Sequence, residues 1–361
     1  MCTHPHRHTL HCILPPYILS RIAEHGPPGL RAAAMRGLLV DPTIRMVRAA
    51  TGGPVIGALA RLRTAAGVVR AATPLRTIRD AQGEPEAPGA VIVRREGDAP
   101  TGDAAVDEAY DGLGATFALF QEAYGRNSID DAGLPLDATV HYDRDYDNAF
   151  WDGTQMVFGD GDGQLFNRFT IALDVIGHEL AHGVTEKEAG LAYYGQSGAL
   201  NESISDVFGA LVKQYLLRQT AEEADWLIGA GLLTPAVNGV ALRSMKAPGT
   251  AYDDPVLGRD PQPADMAGFV RTNQDNGGVH INSGIPNRAF HLAATAIGGH
   301  AWERAGQIWY DALLDPATRA NTDFAGFARI TRDVAARRYG SGAAETRAVA
   351  GAWAAVGVDM S

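Results

Sequence analysis

The feature of this sequence that most constrains its fold is a change in hydrophobic period near residue 168. Before that point, short apolar runs such as 90–93 and 139–142 are typical of β-strands. One long amphipathic helix is predicted among them, over 103–124. After that point, apolar residues recur with the helical period over 169–185, 200–218, 283–298, 301–314, 323–338 and 343–355. A β-rich half followed by a helical half predicts an α+β protein of two lobes with a cleft between them.

The composition limits the kinds of partner that the chain can have. Asp and Glu outnumber Lys and Arg by 42 to 31, which argues against a nucleic-acid binder. No run approaches the roughly 18 apolar residues that a membrane span needs. The two cysteines, Cys2 and Cys12, both lie near the N-terminus, so disulfides are not expected in the body of the protein. We expect a monomer that binds neither nucleic acid nor membranes.

The N-terminal part of the chain differs from the rest. Five of the eleven histidines lie before residue 26, and Pro15-Pro16 interrupts a short apolar run. We interpret 1–60 as a prosegment with its linker, a disordered tail being the alternative. The N-terminal lobe is then 61–198 and the C-terminal lobe 199–361. The first residues lack the apolar region of a secretory signal, so we expect synthesis in the cytoplasm, with export by another route left open.

One helical segment carries the motif His178-Glu179-Leu180-Ala181-His182. Histidines four apart are separated by about 6 Å of helix rise and share one face, so both imidazoles can reach one metal ion. Glu179 lies beside that metal, where it can take a proton from water. The alternative is a chance occurrence of the motif on a core helix.

A second helical segment offers carboxylates at a suitable distance along the chain. Nineteen residues separate His182 from Glu202, which fits the third ligand of a His₂Glu zinc site. Asp206 lies one turn further and is placed to hold the outer nitrogen of a liganding histidine. A solvated helix face is the alternative, but the neighbouring Ile204 and Val207 favour a buried helix.

A third candidate lies in the Gly-rich run 275–284. A turn there delivers His280 just before a helix, with Asp275 near enough in sequence to orient its imidazole. This combination suits a hydrogen-bond donor to a transition state. A purely structural histidine is equally compatible with the pattern.

Taken together, these segments resemble the thermolysin-like metallopeptidases from about residue 75 to the C-terminus. The matching stretches are DNAFWDG (147–153), QMVFGDGDG (155–163), ALDVIGHELAHGVTE (172–186), SGALNESISDVFGALV (197–212), LRSM (242–245) and DNGGVHINSG (275–284). The resemblance implies a β-rich N-terminal lobe, a helical C-terminal lobe and a zinc helix at the cleft between them. It also implies a neutral endopeptidase with one catalytic Zn²⁺, acting on peptides or proteins.

The resemblance assigns catalytic roles residue by residue. Zinc would be held by His178, His182 and Glu202. Glu179 would act as general base and then as general acid. The tetrahedral oxyanion would be stabilised by Tyr193 and His280, with Asp275 holding His280.

The resemblance also implies a substrate-binding surface. The positions that bind the substrate backbone match Asn148, the carbonyl of Ala149 and Arg243. The apolar pocket for the residue after the scissile bond would be formed by Phe166, Phe169, Val175, Ile228, Leu232 and Leu242. The implied preference is for Leu, Phe or Ile at that position, which is P1′.

The N-terminus resembles the short "PPL"-type prosegment of the protealysin-like branch, here Leu14-Pro15-Pro16-Tyr17-Ile18. Those enzymes are made as latent precursors, which implies that the prosegment is an intramolecular inhibitor. Cys12 lies three residues before the prolines, and its thiolate is a candidate cap for the open zinc position. The prolines would stiffen a docked strand. The alternative for Cys12 is a thiol with no role in the site.

The chain departs from the family at its calcium positions. Asp174 is kept, but the other carboxylates of the paired calcium site are replaced by Lys213, Leu227 and Ala230. Val240 stands where a further site uses Asp. Calcium needs six to eight oxygen ligands, so no calcium is expected. The Lys213 ammonium beside Asp174 is predicted to supply the missing positive charge.

Two other functions remain as alternatives. A zinc aminopeptidase also uses this motif with a distant Glu, but it would have one residue fewer between them and an acidic anchor for the substrate N-terminus. We find neither. A catalytically silent zinc-binding protein or partner-binding module would have no use for Glu179, Tyr193 and His280. The endopeptidase is therefore favoured.

Overall fold

The computed structural model describes residues 11–51 and 73–360, with side chains described for 12–39 and 73–360. Much of the predicted linker, and Cys2 with the first histidines, lie outside the described residues. The strands are β1 (His11–Cys12), β2 (Arg76–Asp80), β3 (Val91–Arg95), β4 (Leu136–Val140), β5 (Ala149–Trp151), β6 (Gln155–Phe158), β7 (Leu227–Ile228), β8 (Arg243–Ser244), β9 (Asp253–Asp254) and β10 (Gly258–Arg259).

Six of these strands form one mixed sheet in the order β1-β5-β6-β4-β2-β3. Strand β4 runs parallel to both β2 and β6, and the other pairs are antiparallel. Every residue of β5 and β6 is buried, whereas β3 at one edge is largely accessible. The opposite edge is β1, which comes from the N-terminal segment and pairs Cys12 with Phe150. A piece of the predicted prosegment therefore completes the sheet.

The helical half of the chain follows the predicted pattern. The helices are α1 (Pro16–His25), α2 (Pro28–Thr51), α3 (Ala104–Tyr124), α4 (Leu173–Glu188), α5 (Gly195–Leu217), α6 (Asp275–Asn282), α7 (Gly284–Ile297), α8 (Ala305–Leu314), α9 (Phe324–Tyr339) and α10 (Ala344–Ala355). The side chain of Asp103 accepts from the N–H groups of Ala105 and Val106, so it is the N-cap of α3. Helix α5 begins five residues before its predicted start.

Within the described part of the chain, no helix combines the length and the apolarity needed to cross a bilayer.

The N-terminal prolines begin a helix, which corrects the expectation that they stiffen a strand. Pro15 is the N-cap of α1 and Pro16 its first residue. Proline suits that position because its missing N–H would have no partner within the helix anyway. Among the described residues of the prosegment, the strand is therefore short, and helices α1 and α2 follow it.

Helices α4 and α5 pack closely because glycines lie at their contact. A Cβ atom on Gly209 would lie 2.3 Å from the carbonyl oxygen of Asp174, and one on Gly177 would lie 3.0 Å from the Cα of Gly209. Every residue from 174 to 185 is buried, so α4 is a central helix of the molecule. This close approach brings the histidines of α4 to the carboxylates of α5.

Candidate active site

Three buried side chains on α4 and α5 converge on one point. One ligand atom from each of His178, His182 and Glu202 lies within 4.8 Å of the others. The two Nε2 atoms are 3.0 Å apart, and the Glu202 carboxylate oxygens each lie 3.5 Å from one of them. Among the His, Cys, Asp and Glu residues that the structure describes, these three form the group close enough to hold one ion.

The outer nitrogens of both histidines are fixed by oxygen atoms. His178 Nδ1 lies 2.7 Å from Asp206 Oδ1, and His182 Nδ1 lies 2.8 Å from Asn201 Oδ1. Since these oxygens accept hydrogen bonds, each Nδ1 carries the proton and each Nε2 presents a lone pair. Two lone pairs 3.0 Å apart, beside a buried carboxylate, repel one another unless a cation lies between them. The donor set therefore fits a His₂Glu metal site.

Asp206 connects the metal-binding histidine to an arginine. Its carboxylate accepts from Arg243 Nε at 2.9 Å and Nη2 at 2.8 Å, and from Asn287 Nδ2 at 2.8 Å. Burial raises the pKa of Asp206, but Arg243 and His178 lower it more, so the group stays ionised. The same carboxylate thus orients His178 and Arg243, the two predicted to bind metal and substrate.

Glu179, the residue after His178 on α4, contacts the sheet. Its Oε2 accepts a hydrogen bond from the backbone N–H of Trp151 in β5, at 3.1 Å, and the side chain is fully buried. The carboxylate is therefore held between the metal-binding helix and the strand that pairs with β1. That is a suitable place for a base that acts on water between the metal and a bound strand.

Tyr193 and His280 lie together beside the Glu202 carboxylate. The Tyr193 hydroxyl donates to Glu202 Oε1 and lies 3.2 Å from His280 Nε2. Asp275 Oδ1 lies 2.6 Å from His280 Nδ1, and its Oδ2 accepts from the His280 backbone N–H at 2.9 Å. Burial lowers the pKa of His280, but Asp275 and Glu202 raise it more, to about 9. The structure thus brings together the predicted oxyanion donors.

The turn that delivers His280 needs unusual backbone angles. The φ angles are 49° at Asn276, 83° at Gly277 and 78° at Gly278, all in the left-handed region. Glycine adopts these angles without steric penalty, and Asn tolerates them. The predicted Gly-rich turn is present, and it forms the first residues of α6.

Residues 12–14 of the predicted prosegment lie across this site. The N–H of Ile13 donates to the carbonyl of Ala149 at 3.3 Å, and that of Leu14 to Asn148 Oδ1 at 3.1 Å. Arg243 Nη1 donates to the carbonyl of Ile13 at 3.1 Å. The positions predicted to bind a substrate backbone therefore bind the chain's own N-terminal segment.

The predicted apolar pocket is buried in the same region. Its members are at most 2% exposed, and they are Phe166, Phe169, Val175, Ile228, Leu232 and Leu242. Ile13 and Leu14 are fully buried and belong to the same apolar cluster as these residues. The docked segment thus adds two apolar side chains to the core that contains the predicted pocket.

The thiol of Cys12 does not join the metal ligands. Cys12 belongs to a cluster with Tyr142, Tyr146, Phe150 and Val157, and it is not part of the group close enough to share an ion. It is the backbone carbonyl of Cys12 that meets the site, 3.2 Å from His280 Nε2. The structure therefore does not place the predicted thiolate cap at the metal position.

Several residues that hold the site were missed from the sequence. Asn201 and Ser205 both lie within 2.9 Å of His182 Nδ1, and Asn287 supports Asp206. The missed signal was a polar pair four residues apart, at 201 and 205, inside an otherwise apolar helix. Asn201 and Ser205 directly precede Glu202 and Asp206 on α5.

A buried metal-ligand triad, a carboxylate beside it and paired oxyanion donors define a metal-dependent peptidase. Comparison with known families agrees: the chain matches the thermolysin metallopeptidase catalytic domain over 73–186 and the thermolysin metallopeptidase alpha-helical domain over 189–358. The chain belongs to the thermolysin family of metallopeptidases.

The chain is similar to proteases over most of its length. An extracellular metalloprotease of Pectobacterium carotovorum is 53% identical over 348 residues, which cover 96% of each chain. A thermolysin of Alicyclobacillus acidocaldarius is 41% identical over 263 residues, 71% of this chain and 46% of that protein. The solved precursor of protealysin, a metalloproteinase from Serratia proteamaculans, superposes with a TM-score of 0.86 at 54% identity, covering 97% of this chain and all of that one.

These comparisons confirm the predicted family, the α+β two-lobed fold and the class of enzyme, a metalloendopeptidase. They favour neither the aminopeptidase nor the catalytically silent alternative.

Proposed function

We propose that this chain is a zinc-dependent endopeptidase that is made as a latent precursor, with residues 1–60 as its prosegment. The proposal rests on where residues 12–14 bind. Their backbone groups are hydrogen-bonded to Asn148, Ala149 and Arg243, beside the His₂Glu group. A strand held there excludes any other peptide from the same hydrogen-bonding groups. Latency then follows from occupation of the substrate site.

Zinc is the ion that the donor set suits best. Two neutral imidazoles and one carboxylate leave one position of a tetrahedral ion open, as catalytic zinc sites do. When bound, zinc would supply the Lewis acidity that makes water nucleophilic near neutral pH. Glu179 would take the proton from that water and return it to the leaving amine.

The remaining residues would stabilise charge and position the substrate. His280, held by Asp275, and Tyr193 would donate to the oxyanion that develops on the scissile carbonyl. Asn148, the Ala149 carbonyl and Arg243 would bind the extended backbone. The apolar pocket would favour a large apolar residue at P1′, because burying such a side chain contributes about 1.5–3 kcal/mol.

The test is hydrolysis of a dye-labelled peptide with Leu at P1′ by protein freed of its prosegment, with and without a zinc chelator. Activity should disappear with the chelator and return when zinc is added back. The Glu179→Gln variant should bind zinc at the wild-type stoichiometry but lose about 10²–10⁴ in kcat. Glu222→Gln, the same change at an exposed position, is the matched control.

Two results would contradict the proposal. One is hydrolysis by the freed protein that persists when bound zinc has been removed. The other is an intact precursor as active as the freed protein, because a strand that fills the substrate site leaves no room for the peptide.

A further inference from the structure

The docked segment is held by consecutive backbone groups in one register. From residue 12 to residue 14 in order, the Cys12 carbonyl, the Ile13 N–H, the Ile13 carbonyl and the Leu14 N–H each have a partner. The partners are His280, Ala149, Arg243 and Asn148. Such a set of contacts fixes both the direction of the strand and which peptide bond faces the catalytic groups.

The carbonyl that faces the catalytic groups is that of Cys12. Its oxygen lies 3.2 Å from His280 Nε2, and that nitrogen lies 3.2 Å from the Tyr193 hydroxyl. The same Nε2 is 3.6 Å from Glu202 Oε1, an atom of the metal-ligand group. An oxyanion donor pair beside a metal marks the carbonyl that is attacked. The bond that follows this carbonyl is Cys12–Ile13.

The general base contacts the strand that pairs with the docked segment. Glu179 accepts from the N–H of Trp151, the residue of β5 that pairs with His11. Glu179 is therefore fixed beside the strand position that precedes Cys12. The residue after the bond, Ile13, is a large apolar residue of the kind that the proposed pocket prefers, and it is fully buried.

We infer that the prosegment is bound as a substrate with Cys12–Ile13 in the scissile position, and that the precursor hydrolyses this bond itself. The inference rests on the proposed function. It names a cleavage site and a regulatory event of the same catalytic centre. The blocking strand is thus a slow substrate, and cutting it divides β1 from helices α1 and α2.

The step is an ordinary hydrolysis. The oxygen of one water molecule bonds to the Cys12 carbonyl carbon while Glu179 takes a proton from that water. The C–N bond of Cys12–Ile13 then breaks, and the proton passes from Glu179 to the Ile13 nitrogen. The second proton of the water also passes through Glu179 to that nitrogen. The products are a carboxylate on Cys12 and an ammonium group on Ile13, and no other reactant is consumed.

The experiment follows the zinc-loaded full-length precursor by intact-mass spectrometry and N-terminal sequencing. A new N-terminus should appear at Ile13, together with the complementary fragment that ends at Cys12. The rate per molecule should not depend on precursor concentration, because each site cuts its own strand. The Glu179→Gln precursor should show neither fragment.

Variants of the prosegment test the register. Ile13→Asp should slow the cut at 12–13 by roughly tenfold to a hundredfold or more, since an apolar pocket discriminates at least this strongly. Met35→Asp makes the same kind of change on α2, where the side chain is 50% exposed, and should leave the rate unchanged. Equal rates in the two variants would overturn the inference.

A readout without turnover uses the metal-free Glu179→Gln precursor labelled with ¹³C at the cysteine carbonyls. The chain has two cysteines, so two signals are expected, and Cys2→Ser assigns them. His280→Ala should shift the Cys12 signal and leave the Cys2 signal in place. An unmoved Cys12 signal would overturn the register.

The same samples separate this inference from the proposed function. If the freed enzyme hydrolyses the dye-labelled peptide while the zinc-loaded precursor keeps Cys12–Ile13 intact, the inference is wrong and the proposed function stands. If the freed, zinc-loaded enzyme hydrolyses no peptide, the proposed function is itself wrong.

Discussion

The ammonium group of Lys213 lies 3.1 Å from the buried carboxylate of Asp174, where the family's calcium-binding carboxylates gather. Lys213 Nζ also contacts Asp225 at 2.8 Å. We expect this fixed positive charge to replace the charge of a bound calcium ion. We therefore predict that millimolar calcium leaves the melting temperature of this protein nearly unchanged, as calorimetry can measure.

Removing that charge should expose its role. Lys213→Gln leaves Asp174 buried and unpaired, so we expect the free energy of unfolding to fall by about 3 kcal/mol. Lys246→Gln removes an exposed lysine and is the control. A large rise in melting temperature on adding calcium to the wild type would contradict the calcium prediction above.

Replacing His280 with Ala should slow catalysis without removing the metal. The imidazole lies beside Tyr193 and is oriented by Asp275 at 2.6 Å. Loss of one preorganised oxyanion donor lowers kcat by roughly 10²–10³. Steady-state kinetics on the freed enzyme, with zinc analysis of the same sample, checks this. If the effect fell on KM alone, His280 would be a substrate-binding residue instead.

Replacing Asp206 with Asn should weaken metal binding. The carboxylate holds His178 Nδ1 at 2.7 Å and carries a lowered pKa because Arg243 and His178 are beside it. Loss of such a partner of a liganding histidine typically lowers metal affinity 10–100-fold. Competition with a chelator of known affinity measures the change. Wild-type zinc affinity in Asp206→Asn would mean that the α4–α5 packing alone fixes His178.

His141 should make part of the stability depend on pH. Its Nδ1 lies 2.8 Å from Asp160 and its Nε2 lies 3.2 Å from Asp103. Hydrogen bonding to Asp160, and the charges of Asp160, Asp103 and Asp80, outweigh burial and raise its pKa from 6.5 to about 9. The raised pKa stabilises the fold fully below pH 6.5, and that stabilisation is lost as pH rises through about 9.

The measurement is the free energy of unfolding of wild type and His141→Gln across that pH range. The two partner carboxylates are nearly half exposed, so solvent screening reduces the expected difference to about 1–2 kcal/mol at low pH. The difference should vanish above the raised pKa. A difference that is constant with pH would show that His141 acts through packing and not through its charge.

The group of candidate metal ligands was predictable because its members follow helical spacing. The motif from His178 to His182 and the helix with Glu202 and Asp206 place their side chains by periodicity alone. The contact of Asn201 with His182 was not predictable in the same way, because it depends on the crossing of α4 and α5. Glycines at the contact of the two helices permit that crossing, and their role can be recognised only once the positions of both helices are known.

The N-terminal segment shows where sequence reasoning failed. Its docking was expected, but the thiol of Cys12 was offered as a candidate cap for the metal, with a thiol of no role as the alternative, and the prolines were placed in a strand. The side that each residue of a two-residue strand presents depends on its register against β5, and no pattern in so short a run fixes that register. The helix start at Pro16 could have been predicted from the preference of proline for the first turn of a helix.

Under the proposed function, the pairing of β1 with β5 determines which structural features a target protein must have. Ala149 and Asn148 bind backbone groups, so a target must arrive with a stretch whose own N–H and C=O groups are unpaired. In a folded target those groups are already engaged in its helices and sheets. The rate of attack on such a target is then governed by how often it opens locally, so resistance belongs largely to the target's own stability.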